Sequence, residues 1–203
     1  NRDLLPDYLR FLRGIVDSAD LPLNVSREAL QDNTVFRKMQ KVITRKVLDH
    51  LDSLATDQRE TYDRFYREFG VILREGVTAN DGNRDRAAAL LRFTPTTSAG
   101  TGELVSLQQY VDRAKEGQQQ IYFACGTDQN AILRDPNLEV FRKRNLEVLV
   151  LTDPADEYII SSLGTFAEKK IVSIDAAELQ LPPQSADEQS KEPAEQQKNE
   201  EHA

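Results

Sequence analysis

Residues 20–33 read DLPLNVSREALQDN and bring Asn24, Ser26, Arg27, Glu28 and Gln31 together just ahead of a predicted helix. An arginine in such a place is suited to anions: its planar fork stays charged and donates two parallel hydrogen bonds to phosphate oxygens. The free amides and positive dipole end of a helix start favour an anion at the same spot. Gln31, four residues after Arg27, shares its face if the helix has begun there, so the two form a candidate anion clamp to which Asn24 can add. The same residues also admit a plain structural reading, in which Arg27 pairs with Glu28 or another nearby acid and Asn24 caps a turn. Residue types alone leave both open.

The other chemistry-bearing residues are few. Cys125 is the single cysteine and His50 and His202 are the only histidines. A disulfide within the chain, a cysteine zinc site and a Ser/His/Asp triad therefore lack material. Cys125 ends an apolar run and is followed by Gly126, Thr127 and Asp128, a turn without the glycine or lysine spacing of a nucleotide loop. A buried structural cysteine is expected, since no histidine or basic neighbour in sequence is present to lower its pKa. Arg37, Lys38, Lys41, Arg45 and Lys46 concentrate positive charge in FRKMQKVITRK, which reads as the solvated face of an amphipathic helix.

The elements that must position these residues follow from periodicity. Residues 3–17 set Leu5, Tyr8, Leu9, Leu12, Ile15 and Val16 at helical spacing and predict one amphipathic helix, with Pro6 in its first turn and most of its apolar residues packed in the core. Pro22 and Asn24 then break the period and predict a structured loop. From Asn33 to Leu54 the apolar residues Phe36, Met39, Ile43, Val47, Leu51 and Leu54 give a long helix with one buried stripe. Asp57 with Glu60 offers a capping box for another helix, whose apolar face is Tyr62, Phe65, Tyr66, Phe69 and Ile72. A helix is expected from Arg84 to Phe93, and a further one from the start signal Ser106/Gln109 to a stop at Gly117.

At Gln120 the pattern changes. IYFAC, EVLVL at 147–151 and KIVSI at 170–174 are short apolar runs separated by helix-length segments, which predicts βαβ units around a parallel sheet. The fold class expected is α/β: long amphipathic helices followed by a small three-layer α/β/α domain with a short parallel sheet.

The formal net charge of −8 argues against a broad basic nucleic-acid face. No apolar run approaches the ~20 residues of a spanning helix, so no membrane role is expected and a cytoplasmic location is. From Pro182 onward the chain is rich in Glu, Gln, Lys and Pro, the composition of a flexible acidic tail or linker. A chain that opens on Asn1 is expected to be an internal piece of a longer protein.

The string DLPLNVSREALQDN closely resembles the catalytic-loop signature of the heat-shock protein 90 chaperone family, DLPLN-[aliphatic]-SRE-x-LQ, in its bacterial HtpG-type branch. The resemblance continues through LLPDYLRFLRGIVDSADLPLN, FYREFGVILREGV, LLRFTPT, LVSLQQYVDRAKEGQQQIYFACG, EVLVLTDPADEY and FAEKKIVSI, in collinear order from Asn1 to Pro182. It implies a middle-domain fragment of a dimeric ATP-driven chaperone. Residues 1–32 would end the large middle subdomain and carry the catalytic loop at 20–31. Residues 33–117 would form a helical connecting segment, 118–182 a small α/β/α subdomain and 183–203 the acidic tail or linker.

It further implies that Arg27 contacts the γ-phosphate of ATP, bound with Mg2+ by a separate N-terminal ATPase domain, with Gln31 assisting. The partners implied are that domain, a C-terminal dimerisation domain and client proteins. No stretch resembles the family's nucleotide lid or its helix with the catalytic glutamate, so the piece alone is not expected to hydrolyse ATP. Two other functions remain to be weighed. One is a freestanding α/β interaction module with a structural Arg27; the other is a small enzyme using Cys125.

Overall fold

The computed structural model describes residues 4–16 and 34–183. The chain divides into two compact units, Asn1–Arg92 and Phe93–Ala203, so Phe93–Gly117 fall in the same unit as the strands.

The first unit is helical. α1 spans Thr34–Asp57 and α2 spans Arg59–Arg74, and they pack on each other. The 3–4 spacing puts Phe36, Leu48 and Leu51 of α1 and Tyr62, Tyr66 and Leu73 of α2 into one core. α2 continues into a 3-10 turn, Glu75–Val77, and after a short loop α3 spans Arg84–Leu90. The expected capping box at Asp57 does not form. α1 runs through Asp57, which leaves Gln58 as the residue ahead of α2, with φ −136° and no side-chain cap bond. Four helical turns of buried stripe hold α1 together past the point where a local cap signal would end it.

The helix expected over residues 3–17 is also corrected. Pro6 is extended at φ −58° and ψ 153°, and Asp7–Leu9 make a short 3-10 turn in place of a continuous helix. That turn drives Tyr8 and Leu9 into the core, at 1% and 0% exposure, while Leu12, Ile15 and Val16 stay at the surface, Ile15 at 97%. Long-range anchoring of Tyr8 outweighs a helical period that Pro6 interrupts early, because so short a helix carries its nucleation cost over few bonds. Gly76 is required where it stands: a Cβ there would lie 2.9 Å from the Ala87 Cβ and 3.0 Å from the Tyr8 ring.

The second unit is α/β. β1 (Thr94–Pro95) precedes α4 (Leu107–Asp112) and β2 (Gln120–Cys125); then come α5 (Gln129–Leu133), α6 (Leu138–Lys143), β3 (Leu149–Leu151), α7 (Pro154–Leu163), β4 (Thr165–Phe166) and β5 (Lys169–Ser173). The open sheet has the order β1-β3-β2-β5-β4. β2 pairs in parallel with β3, Ala124 facing Val150, and with β5, Tyr122 facing Val172. Both edges are antiparallel. The parallel strands are the three apolar runs of the sequence. The edges, two residues each, are too short to show a period.

Tyr122, Ile132, Leu138, Phe141, Leu146, Val148, Val150 and Ile174 form a core on one face of the sheet, with the Tyr122 and Phe141 rings 5.0 Å apart edge to face. The capping box at Ser106 forms in full: Ser106 Oγ accepts from the Gln109 N–H at 3.1 Å, and Gln109 Oε1 accepts from the Ser106 N–H at 3.0 Å. The helix it opens stops at Asp112, short of Gly117, which instead adopts φ +78° in the turn before β2.

Candidate functional site

Asn24, Arg27 and Gln31 lie outside the described residues. What the structure defines is the two stems from which that stretch of chain departs and to which it returns.

On the incoming side, Tyr8 and Arg10 are fastened to the segment that follows α2. The Tyr8 hydroxyl donates to Asp81 Oδ2 at 2.6 Å, and Asp81 accepts further bonds from the Asn83 N–H at 2.9 Å and Nδ2 at 3.0 Å. Burial alone would raise the Asp81 pKa; the bonds from Tyr8 and Asn83 outweigh it and hold the carboxyl below its usual range. Tyr8 responds the other way: burial first, then its bond to Asp81, push its pKa well up, so it remains a donor. The Arg10 guanidinium grips Glu75 in a two-pronged pair, Nη1 to Oε2 at 2.5 Å and Nη2 to Oε1 at 2.7 Å. Its hydrogen bonds hold the Glu75 carboxyl below the ordinary carboxylate range. Phe11 closes the anchorage, its ring 5.2 Å from both Phe65 and Phe69.

On the returning side, α1 begins at Thr34 and its first turn contains no acidic residue. Arg37, Lys38, Lys41, Arg45 and Lys46 are all exposed, as expected of a solvated face. Asp49, further along α1, accepts from Arg86 Nη2 at 2.5 Å.

Sequence reasoning missed this anchorage because Arg10 and Glu75 are 65 positions apart and no spacing links them. It also missed Arg92, which is buried with its guanidinium 4.5 Å over the Tyr62 ring and donating to the Leu91 carbonyl at 2.9 Å. Burial lowers its pKa.

In the second unit Cys125 is exposed, correcting the expectation of a buried cysteine. β2 ends there, so the side chain reaches the sheet's rim while Ala124 before it is buried. Partial burial of the thiol, then the carboxylates of Glu157, Asp156 and Asp175, push its pKa up to about 12. The thiol is neutral at pH 7 and a poor nucleophile. Labelling of Cys125 with iodoacetamide should accordingly be slow at pH 7 and accelerate with every unit of pH up to about 12; rapid labelling at pH 7 would revive the enzyme reading. The turn after it is structural: Asp128 caps α5 by accepting from the Ala131 N–H at 2.9 Å, and a Cβ on Gly126 would lie 2.6 Å from Ile132.

Among the described residues no group of three or more His, Cys, Asp or Glu is placed to hold a metal ion. No described helix is long and apolar enough to cross a membrane.

The family profile described as Hsp90 protein matches residues 1–203. The chaperone protein HtpG of Legionella pneumophila (strain Paris) is 45% identical over 188 residues, which are 93% of this chain and 30% of that protein. HtpG of Geobacter sulfurreducens is 46% identical over 176 residues, 87% of this chain and 27% of its own length. HtpG of Francisella tularensis subsp. novicida is 45% identical over 181 residues, covering 89% and 29%. The chain thus spans about 30% of the length of the curated relatives it matches.

Proposed function

Because the chain belongs to the Hsp90 protein family, we propose that it is the middle portion of an ATP-dependent molecular chaperone, the part that delivers Arg27 to the γ-phosphate of a nucleotide held by a separate N-terminal domain. The observation that supports this reading is the family match over residues 1–203, a span that includes SRE at 26–28 and Gln31, residues whose chemistry suits phosphate. Relatives of some three times the length leave room for an ATP-holding domain and a dimerisation domain elsewhere in the protein.

On this reading residues 1–32 end the larger middle subdomain, 33–117 connect, 118–182 form a three-layer subdomain and 183–203 link onward. The guanidinium of Arg27 stabilises negative charge as the γ-phosphoryl group transfers to water, Gln31 supports it with a polar contact, and Asn24 lies within the same loop. Mg2+ and ATP are bound mainly by the other domain. Hydrolysis then depends on docking, and ATP favours the docked form only through contacts that are stronger there. Client proteins bind the same multidomain assembly in the cytoplasm.

Mixing this chain with the isolated ATP-binding domain of the same protein tests the arrangement. ATP turnover should rise at least several-fold above that of the ATP-binding domain alone, saturating with added chain. Turnover that stays at the level of the ATP-binding domain across the titration would count against delivery of a catalytic group from residues 20–31.

A further inference from the structure

The loop ahead of α3 reads Asn80, Asp81, Gly82, Asn83, with an aspartate directly before a glycine. That pair is the one most open to cyclisation, because glycine has no side chain to hinder attack by its own backbone nitrogen on the preceding carboxyl. The local structure meets the remaining needs. Asp81 and Gly82 are both exposed, Gly82 adopts φ +79°, and no atom lies within 4 Å of where its Cβ would stand. Among the described residues nothing accepts a hydrogen bond from the Gly82 N–H. What restrains the pair is the set of partners around the carboxylate. Oδ1 accepts from the Asn83 N–H at 2.9 Å, closing an Asx turn, while Oδ2 accepts from the Tyr8 hydroxyl at 2.6 Å and from Asn83 Nδ2 at 3.0 Å. Tyr8 is 1% exposed, so its hydroxyl holds Asp81 from the side of the core.

We propose that Asp81 and Gly82 form a covalent modification site, a latent isoaspartate switch kept closed by the Tyr8 hydroxyl. In the first step the Gly82 nitrogen bonds to Asp81 Cγ, and the hydroxyl of the neutral carboxyl leaves with the amide proton as water, giving a succinimide ring. In the second, water cleaves one of the two C–N bonds of the ring. Cleavage at Cγ restores aspartate; cleavage at the main-chain carbonyl carbon of Asp81 leaves the chain running through Cβ and Cγ, which is isoaspartate. The water lost is regained, so the mass is unchanged and no oxidant or cofactor takes part. Cyclisation needs a neutral carboxyl free to swing onto the nitrogen, and the bonds from Tyr8 and Asn83 keep it ionised and fixed. Once isoaspartate forms, the main chain is longer there by a methylene and the carboxylate is displaced from the Tyr8 hydroxyl. The Asp7–Leu9 turn then loses its polar tie to this loop, and the loss is fixed covalently.

The test incubates the full-length protein at physiological temperature and neutral pH and samples it over weeks. Trypsin releases residues 75–84 as one peptide, since Arg74 precedes it and Arg84 ends it. An endoproteinase that cuts ahead of aspartate but not ahead of isoaspartate then measures conversion, and the unchanged mass separates it from deamidation of Asn80 or Asn83. Conversion should be slowest in the parent and fastest in the free synthetic peptide 75–84. In Tyr8→Phe, which keeps the ring against Gly76, it should run about 10-fold faster than in the parent, because a hydrogen bond to a charged acceptor no longer has to break first. Asn83→Ala keeps the Asn83 N–H, removes the Nδ2 bond and should also speed conversion, by a smaller factor. Both variants are measured below their thermal midpoints, and if Tyr8→Phe does not fold, Asn83→Ala decides. Conversion in the folded variants no faster than in the parent overturns the gate. Conversion in the parent as fast as in the free peptide, or none in either variant while the peptide converts fully, overturns the site.

Discussion

Tyr110→Phe should destabilise the chain by about 3 kcal/mol, far beyond what loss of one oxygen from a surface tyrosine would do. The Tyr110 hydroxyl is a node in the interior of the second unit. It donates to the Glu147 carbonyl at 2.7 Å and accepts from the Tyr122 N–H and from Gln118 Nε2, each at 3.1 Å. Tyr110 is 1% exposed, Tyr122 0% and Gln118 3%. Burial holds the phenol proton on, although the donors from Tyr122 and Gln118 pull the other way.

Phenylalanine keeps the ring packing but leaves the buried Tyr122 N–H and the part-buried Glu147 carbonyl without this partner, each costing roughly 1–3 kcal/mol. Gln118 loses less, because its Nε2 also donates to the Gln120 carbonyl at 2.8 Å. The orphaned Tyr122 N–H sits at the centre of the parallel sheet, where β2 bridges β3 and β5. Urea unfolding followed by circular dichroism measures the effect. A midpoint shift worth less than about 0.5 kcal/mol would show that the hydroxyl is not the node.

The parts of the fold that were legible in the sequence are those with a long period or a local mechanism. α1 was written in its apolar stripe from Phe36 to Leu54, β2, β3 and β5 in three continuous apolar runs, and α4 in Ser106 and Gln109. Three features failed for a shared reason: a tertiary contact overrode a local signal. The period over residues 3–17 yielded to the burial of Tyr8 and its bond to Asp81, 73 positions away. The capping signal at Asp57 yielded to the continuing stripe of α1. The edge strands Thr94–Pro95 and Thr165–Phe166 exist only because a neighbour offers its hydrogen bonds.

Cys125 was misjudged for a geometric reason. It belongs to the apolar run by composition, but β2 ends on it, and the residue at a strand's end is outside the sheet's cover. Of the candidate site, the residue types and their order were legible and the anchorage was not. Arg27 and Gln31 stand in a contiguous string, whereas Arg10, Glu75, Tyr8 and Asp81 are joined only by folding.

Arg27→Ala carries the largest functional effect expected. Removal of one positioned group that stabilises charge in a transition state typically lowers turnover by about 10²-fold or more. Ground-state binding of ATP is assigned to another domain, so the loss should fall on kcat and leave affinity within about 2-fold. A lysine at the same position should recover only part of the rate, because a point charge lacks the fork that meets two phosphate oxygens together.

The decisive measurement is therefore the turnover number of the full-length Arg27→Ala protein at saturating ATP, with ATP affinity determined on the same sample. A fall of about 10²-fold at near-constant affinity is the predicted result. Parental turnover in that variant would contradict it, and with it the delivery of this guanidinium to the γ-phosphate.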